Sequence, residues 1–69
     1  MVIKLKYKLR VARAEHNLSQ EELAKMVGAS RQTILAIENE KFNPSMKLGM
    51  LITLALNKKV EELFYLVEE

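Results

Sequence analysis

Between Ser19 and Ser30 the sequence carries two helix starts and one helix stop, with only Ala29 between the stop and the second start. Ser19-Gln20-Glu21-Glu22 is a capping box: the serine hydroxyl accepts from the amide three residues on, and Glu22 reaches back to the serine amide. Leu23, Ala24 and Val27 follow as a buried stripe, and Gly28 supplies the positive backbone dihedral that ends a helix cheaply. Ser30 caps a further helix through Glu38, with Ile34 and Ile37 inward and Thr33 and Leu35 at its margins. A connection this short fixes the angle at which the helices cross, and Ala24 is small where their backbones must approach. Residues 19–39 are therefore predicted to form a helix-turn-helix unit.

The rest of the chain is arranged around that unit. Residues 2–9, VIKLKYKL, alternate strictly, with Ile3, Leu5, Tyr7 and Leu9 on one side and Lys4, Lys6 and Lys8 on the other, which is strand periodicity. From Leu9 the period becomes helical through Ala12, Arg13 and His16, and Asn17 can end that helix in the left-handed conformation. After the polar loop Asn39–Asn43, Pro44 suits the approach to a helix. Ser45 caps Met46 to Leu56, with Leu48, Leu51, Ile52 and Ala55 as its apolar stripe and Asn57 as its stop. Val60 to Leu66 reads as a short final helix. Phe-Tyr-Leu-Val also has strand propensity, so the tail has a second option, pairing with the alternating N-terminal segment within one chain or across a dimer.

With 69 residues and no cysteine, the chain has room for one core and no disulfide or thiolate metal site, so residues 1–69 are expected to form a single domain held by packing or by pairing with a second copy. The absence of cysteine fits a reducing, cytoplasmic compartment, and no apolar run approaches the roughly 18 residues of a membrane span. The net charge of +2 decides nothing about partners, whereas its distribution is informative. Lys4, Lys6, Lys8, Arg10 and Arg13 crowd the start; Glu61, Glu62, Glu68 and Glu69 crowd the end. Two readings stand side by side: oppositely charged ends that attract each other, or a basic arm that approaches phosphates.

The outward side of the helix after Ser30 presents Arg31, Gln32, Thr33 and Ala36. Arginine can bond guanine bidentately, glutamine can do the same with adenine, and methyl groups pack on thymine. On side-chain type alone these are also ordinary solvated residues; the tight turn and the caps favour a base-reading surface. Donors that flank a groove suit phosphates, which makes Ser19 and Gln20 at one helix start, Asn39, Lys41 and Asn43 in the loop, and Ser45 and Lys47 at the next start the candidate backbone contacts.

The run LSQEELAKMVGASRQTILAIENEKFNPS, with the apolar helix after it, resembles the Cro and lambda-repressor (XRE) family of helix-turn-helix regulators over roughly Leu9 to Phe64. The resemblance implies an all-α, compact five-helix DNA-binding domain, with short terminal strands as an option. It further implies that Gln20 braces the phosphate backbone, that the helix after Ser30 enters the major groove, and that Arg31, Gln32, Thr33 and Ala36 hold the base-reading positions. An arginine at the place of Arg13 is implied to pair with a glutamate at the place of Glu38, tying the first helix to the reading helix. One departure is Glu40, where the family usually has glycine at a site that commonly needs a left-handed backbone. Either the loop bends differently, or a strain of about 1 kcal/mol or more is tolerated. Glu40 near phosphates would also repel them.

The expected function is sequence-specific binding of double-stranded DNA by a cytoplasmic, nucleoid-associated transcriptional regulator, acting as a repressor. The alternative is an antitoxin or co-regulator that works mainly through protein partners. Catalysis has little to draw on: His16 is the one histidine, and the pairs Glu21–Glu22 and Glu61–Glu62 suit helix macrodipoles better than acid-base work. No metal, cofactor, small-molecule substrate or regulating ligand is expected. A palindromic operator read by a homodimer fits half-sites one helical turn apart. Phe64, Tyr65, Leu66 and Val67 are the candidates for the dimer surface, unless the tail folds back onto Ile3 and Leu5.

Overall fold

The computed structural model describes residues 1–69 and runs β1 (Ile3–Tyr7), α1 (Leu9–Glu15), α2 (Gln20–Val27), α3 (Arg31–Glu38), α4 (Met46–Leu56), α5 (Val60–Leu63) and β2 (Phe64–Glu68). Five helices enclose one core: Leu9 and Ala12 of α1, Leu23, Ala24 and Val27 of α2, Ile34 and Ile37 of α3, Ile52 and Leu56 of α4, and Leu63 of α5. Each helix contributes apolar residues to this core, and their burial holds the bundle together. The all-helical expectation holds, with the optional terminal strands present as a two-stranded sheet.

Local chemistry sets the boundaries. Ser19, Ser30 and Ser45 each accept from the amide three residues on, at 3.0–3.1 Å. Helices α1 to α4 all close alike: a residue in the left-handed region follows the helix, and the next amide bonds back to a carbonyl five residues earlier. The left-handed residues are Asn17, Gly28, Glu40 and Asn57. The closing bonds are Leu18 to Arg13, Ala29 to Ala24, Lys41 to Ala36 and Lys58 to Thr53, at 2.8–3.1 Å. Glycine and asparagine tolerate this conformation well and glutamate does not. With φ at 60°, Glu40 does adopt the left-handed backbone, so of the two expectations the strained one is realised.

Two expectations are corrected. The last helix stops at Leu63, not Leu66, because Phe64–Glu68 pairs antiparallel with β1 in the same chain, in the register Tyr7↔Phe64, Leu5↔Leu66 and Ile3↔Glu68. Aromatic and branched side chains suit a strand, and the β1 edge offers this segment more backbone bonds than another turn of a four-residue helix would. On α4 the most buried line is Ile52, Thr53 and Leu56, while Leu48, Leu51 and Ala55 are half-buried. Thr53 tolerates burial because its hydroxyl donates to the Met50 carbonyl at 2.6 Å. His16 is an exposed residue at the end of α1, in line with its place at the end of the helical period.

Candidate nucleic-acid interface

The first turn of α3 is fixed from within. Ser30 Oγ accepts from the Thr33 amide at 3.1 Å and lies 2.9 Å from Thr33 Oγ1, so the threonine hydroxyl is engaged at the cap and its methyl group is the part left for other contacts. Arg31 and Gln32 are exposed, and neither side chain has a hydrogen-bond or ion-pair partner in the protein. Ala36 is half-buried. Leu35, placed only at the margin by the sequence, is 36% exposed and lies one turn beyond Arg31 on the same stripe. An exposed leucine in that position can pack on a thymine methyl. Its signal was its spacing of one turn from Arg31, which the placement at the margin left unused.

The far end of α3 is anchored to the rest of the bundle by Glu38, whose side chain is only 1% exposed. Arg13 donates to it twice, from Nε at 2.9 Å and from Nη2 at 3.3 Å, and also donates to the Leu18 carbonyl at 2.8 Å. The pairing implied for Arg13 and Glu38 is present. Sequence reasoning missed two further donors to the carboxylate, Gln20 Nε2 at 3.0 Å and Arg10 Nε at 3.4 Å. Burial pushes the Glu38 carboxyl up, but the bonds from Arg13, Gln20 and Arg10 outweigh it and hold the group below its ordinary value of 4.5. One carboxylate thus gathers α1 and the start of α2 at the exit of α3.

The proposed phosphate contacts divide into two kinds. Ser19 and Ser45 spend their hydroxyls on their own helix starts, and the Ser19 amide bonds Glu22 Oε1 at 2.8 Å, which holds the Glu22 carboxyl below its ordinary range. Gln20 gives one amide proton to Glu38 and keeps one for an outside acceptor. Asn39 accepts from Arg10 Nη2 at 3.4 Å, and Asn43 accepts from the Tyr7 hydroxyl. Lys41 and Lys47 are exposed and enter no ion pair. Arg31, Lys41 and Lys47 therefore leave three unneutralised cations on α3, the following loop and the start of α4.

The C-terminal candidates also separate. Phe64 is half-buried, meets Tyr7 edge-on with ring centroids 5.7 Å apart, and lies against α4 at Gly49, whereas Leu66 is 69% exposed. Leu5 and Phe64 line a groove of about 390 Å³ with Met46, Met50 and Val60. No group of histidine, cysteine and carboxylate side chains has a metal-binding arrangement, and no helix is long and apolar enough to cross a membrane.

These features define the class of a helix-turn-helix DNA-binding regulator. The family model described as Helix-turn-helix matches residues 9–63, and the chain belongs to that XRE-type family of DNA-binding transcriptional regulators, which is not an enzyme class. It is 52% identical over 60 residues to an uncharacterized HTH-type transcriptional regulator of Methanocaldococcus jannaschii, covering 87% of this chain and 91% of the relative. It is 42% identical over 65 residues to the uncharacterized HTH-type transcriptional regulator YgzD of Bacillus subtilis, covering 94% and 98%. The fold is similar to that of the restriction-modification controller protein C.AhdI of Aeromonas hydrophila, with TM-score 0.74, 31% identity, and coverage of 78% of this chain and 82% of that one. It is also similar to the transcriptional regulator VanUg, with TM-score 0.80 over all of this chain and 92% of that one; at 18% identity this likeness concerns the fold alone.

Proposed function

We propose that this chain acts as a single DNA-binding domain that represses transcription by occupying a palindromic operator as a homodimer, with α3 reading the major groove. The observation that carries this reading is the state of the side chains on α3. Arg31 and Gln32 are exposed and unpaired at the start of a helix held at both ends, by the Ser30 cap and by Glu38, so they are free to meet base edges from a fixed frame. Thr33, Leu35 and Ala36 add apolar contacts. Gln20, Asn39, Lys41, Asn43 and Lys47 supply the flanking phosphate donors, beside the helix starts at Ser19 and Ser45. Repression asks only for occupancy, and the work takes place at the nucleoid, in the cytoplasm.

The dimer reading draws on a contiguous apolar face. Met46, Met50 and Leu54 form one line along α4, and Val60, Leu66 and Ile3 adjoin them, each at least half exposed. Large side chains gathered this way exceed the scattered apolar residues of an ordinary monomer surface, and a second copy of the chain would cover them symmetrically. This moves the dimer surface from Phe64–Val67 as a block to Leu66 with the outer line of α4.

The test is selection of duplexes from a randomised pool at physiological salt by the wild type and by an Arg31→Ala/Gln32→Ala variant. Enrichment of a palindrome by the wild type, lost in the variant, is the expected result. No enrichment by the wild type would overturn DNA reading and leave the antitoxin or co-regulator alternative in its place.

A further inference from the structure

The segment from Lys6 to Arg10 sends three side chains across to the loop that leaves α3. Lys6 Nζ donates to Glu40 at 2.6 and 3.2 Å, the Tyr7 hydroxyl donates to Asn43 Oδ1, and Arg10 Nη2 donates to Asn39 Oδ1 at 3.4 Å. All four bonds run in one direction: the N-terminal segment gives protons and the loop accepts them. An asparagine side chain has an acceptor end and a donor end. Once the oxygen is held by a neighbouring donor, the NH2 is what the residue has left to offer. Neither Asn39 nor Asn43 has a partner for that NH2 within the protein.

We propose that Tyr7, with Arg10 and Lys6 beside it, is a positioning residue for DNA binding: it fixes the amide of Asn43 so that its N–H donors, and not its oxygen, face a phosphate of the duplex. Arg10 does the same for Asn39, and Lys6 holds the intervening Glu40 in its left-handed backbone while neutralising a carboxylate that would otherwise repel the same phosphates. An unbraced asparagine would spend part of its time with its oxygen outward, where an anion meets no donor. The brace removes that choice before the DNA arrives, which is preorganisation.

Independent features support the assignment. Tyr7 is held at its ring as well as at its hydroxyl, through the edge-on packing against Phe64. Its register opposite Phe64 fixes where along β1 the phenol emerges. Burial, and then the charge of Glu40, keeps the phenol protonated to higher pH than usual, so it remains a donor. Lys6 likewise stays charged, because its bond to Glu40 outweighs the burial that works against it.

The inference rests on the DNA-binding reading above, and the experiment separates the two. Tyr7→Phe removes one oxygen and keeps the ring. Its affinity, with that of Asn43→Ala and of the double variant, is measured on the duplex the wild type selects and on an unselected random-sequence pool. The expected result is a loss of about three- to ten-fold for Tyr7→Phe, the size of one hydrogen bond, equal on both probes because phosphates carry no sequence, and no further loss when it is added to Asn43→Ala. Wild-type affinity in Tyr7→Phe, or penalties that multiply in the double variant, would overturn the proposal while leaving DNA reading intact. In the free protein, the side-chain amide resonances of Asn43 should shift and broaden in Tyr7→Phe; unchanged resonances would overturn the brace without reference to DNA. A wild type that binds neither probe would overturn the function itself, and the use assigned to the amides with it.

Discussion

Two cation-bearing stretches of this chain have opposite fates. Residues 4–13 hold five cations, yet Lys4 is paired with Glu69, Lys6 with Glu40, and Arg10 and Arg13 with Glu38, while Lys8 lies over the ring of Tyr65. Residues 31–47 hold three cations, Arg31, Lys41 and Lys47, and all three are without an ion-pair partner. The denser region is the one whose cations are mostly paired, four of the five with carboxylates. Counting lysines therefore misdirects the search for a nucleic-acid surface; what matters is the charge left after the fold has paired its own. Of the N-terminal cations only Lys4 reaches the acidic end of the chain, at Glu69; Lys6, Arg10 and Arg13 pair with Glu40 and Glu38 at the exit of α3.

The strongest test of this contrast lies where the two regions meet. Removing the shared carboxylate, in Glu38→Ala, should destabilise the fold by about 3 kcal/mol, because it leaves the sheltered guanidinium of Arg13 uncompensated and frees Gln20. Urea unfolding measures this, and a loss below about 1 kcal/mol would mean the cluster is an ordinary surface pair. The pH dependence has a definite sign. Glu38 titrates below its unfolded value of 4.5, so its contribution is complete above that value and disappears as pH falls through the lower folded one. The stability gap between wild type and Glu38→Gln should be widest near neutrality and should close in acid.

Next in size is Arg31→Ala, which should cost about 1–3 kcal/mol of operator affinity and relax preference at one base pair, with no change in thermal stability. An equal loss on unselected DNA would place Arg31 on the backbone and remove it from the reading surface.

How far these outcomes were legible from sequence depends on the span of the interaction. The caps at Ser19, Ser30 and Ser45, the stops at Asn17, Gly28 and Asn57, and the inward residues of α2 and α3 follow rules that act within a few residues, and they were read correctly. The end of α5 was left open between helix and strand, because that choice is made by β1, at the other end of the chain. The ties from Tyr7 to Asn43 and from Lys6 to Glu40 have no local pattern at all. They depend on β1 pairing with β2 and being carried beside the loop after α3. Gln20 was singled out for its place at a helix start; that it also reaches Glu38 depended on the α2–α3 crossing, which spacing alone does not give.

The contrast between paired and unpaired lysines predicts different salt responses. Lys41→Gln or Lys47→Gln should weaken binding to every duplex and lower the salt slope by about 1 each, since each releases about one counterion on binding. Lys4→Gln, whose ammonium lies 3.5 Å from Glu69, should leave the slope where it is. A slope that falls as much for Lys4 as for Lys47 would show that the N-terminal pairs open on DNA and that the basic arm does reach phosphates.

The smallest effect concerns Glu40, where pairing and strain meet in one residue. Glycine there relieves the left-handed backbone, worth about 1–2 kcal/mol, but brings more freedom to the unfolded chain and gives up the pair with Lys6, together of similar size. Glu40→Gly alone should therefore change stability by less than about 0.5 kcal/mol, the difference between these opposing terms. With the pair already removed in Lys6→Met, only strain and chain freedom remain, so the same replacement should be more favourable there by whatever the pair contributes. Thermal unfolding of the four proteins in the cycle measures that difference. If glycine were equally neutral in both backgrounds, the pair would contribute nothing to holding the backbone of Glu40, and Lys6 would count among the free cations after all.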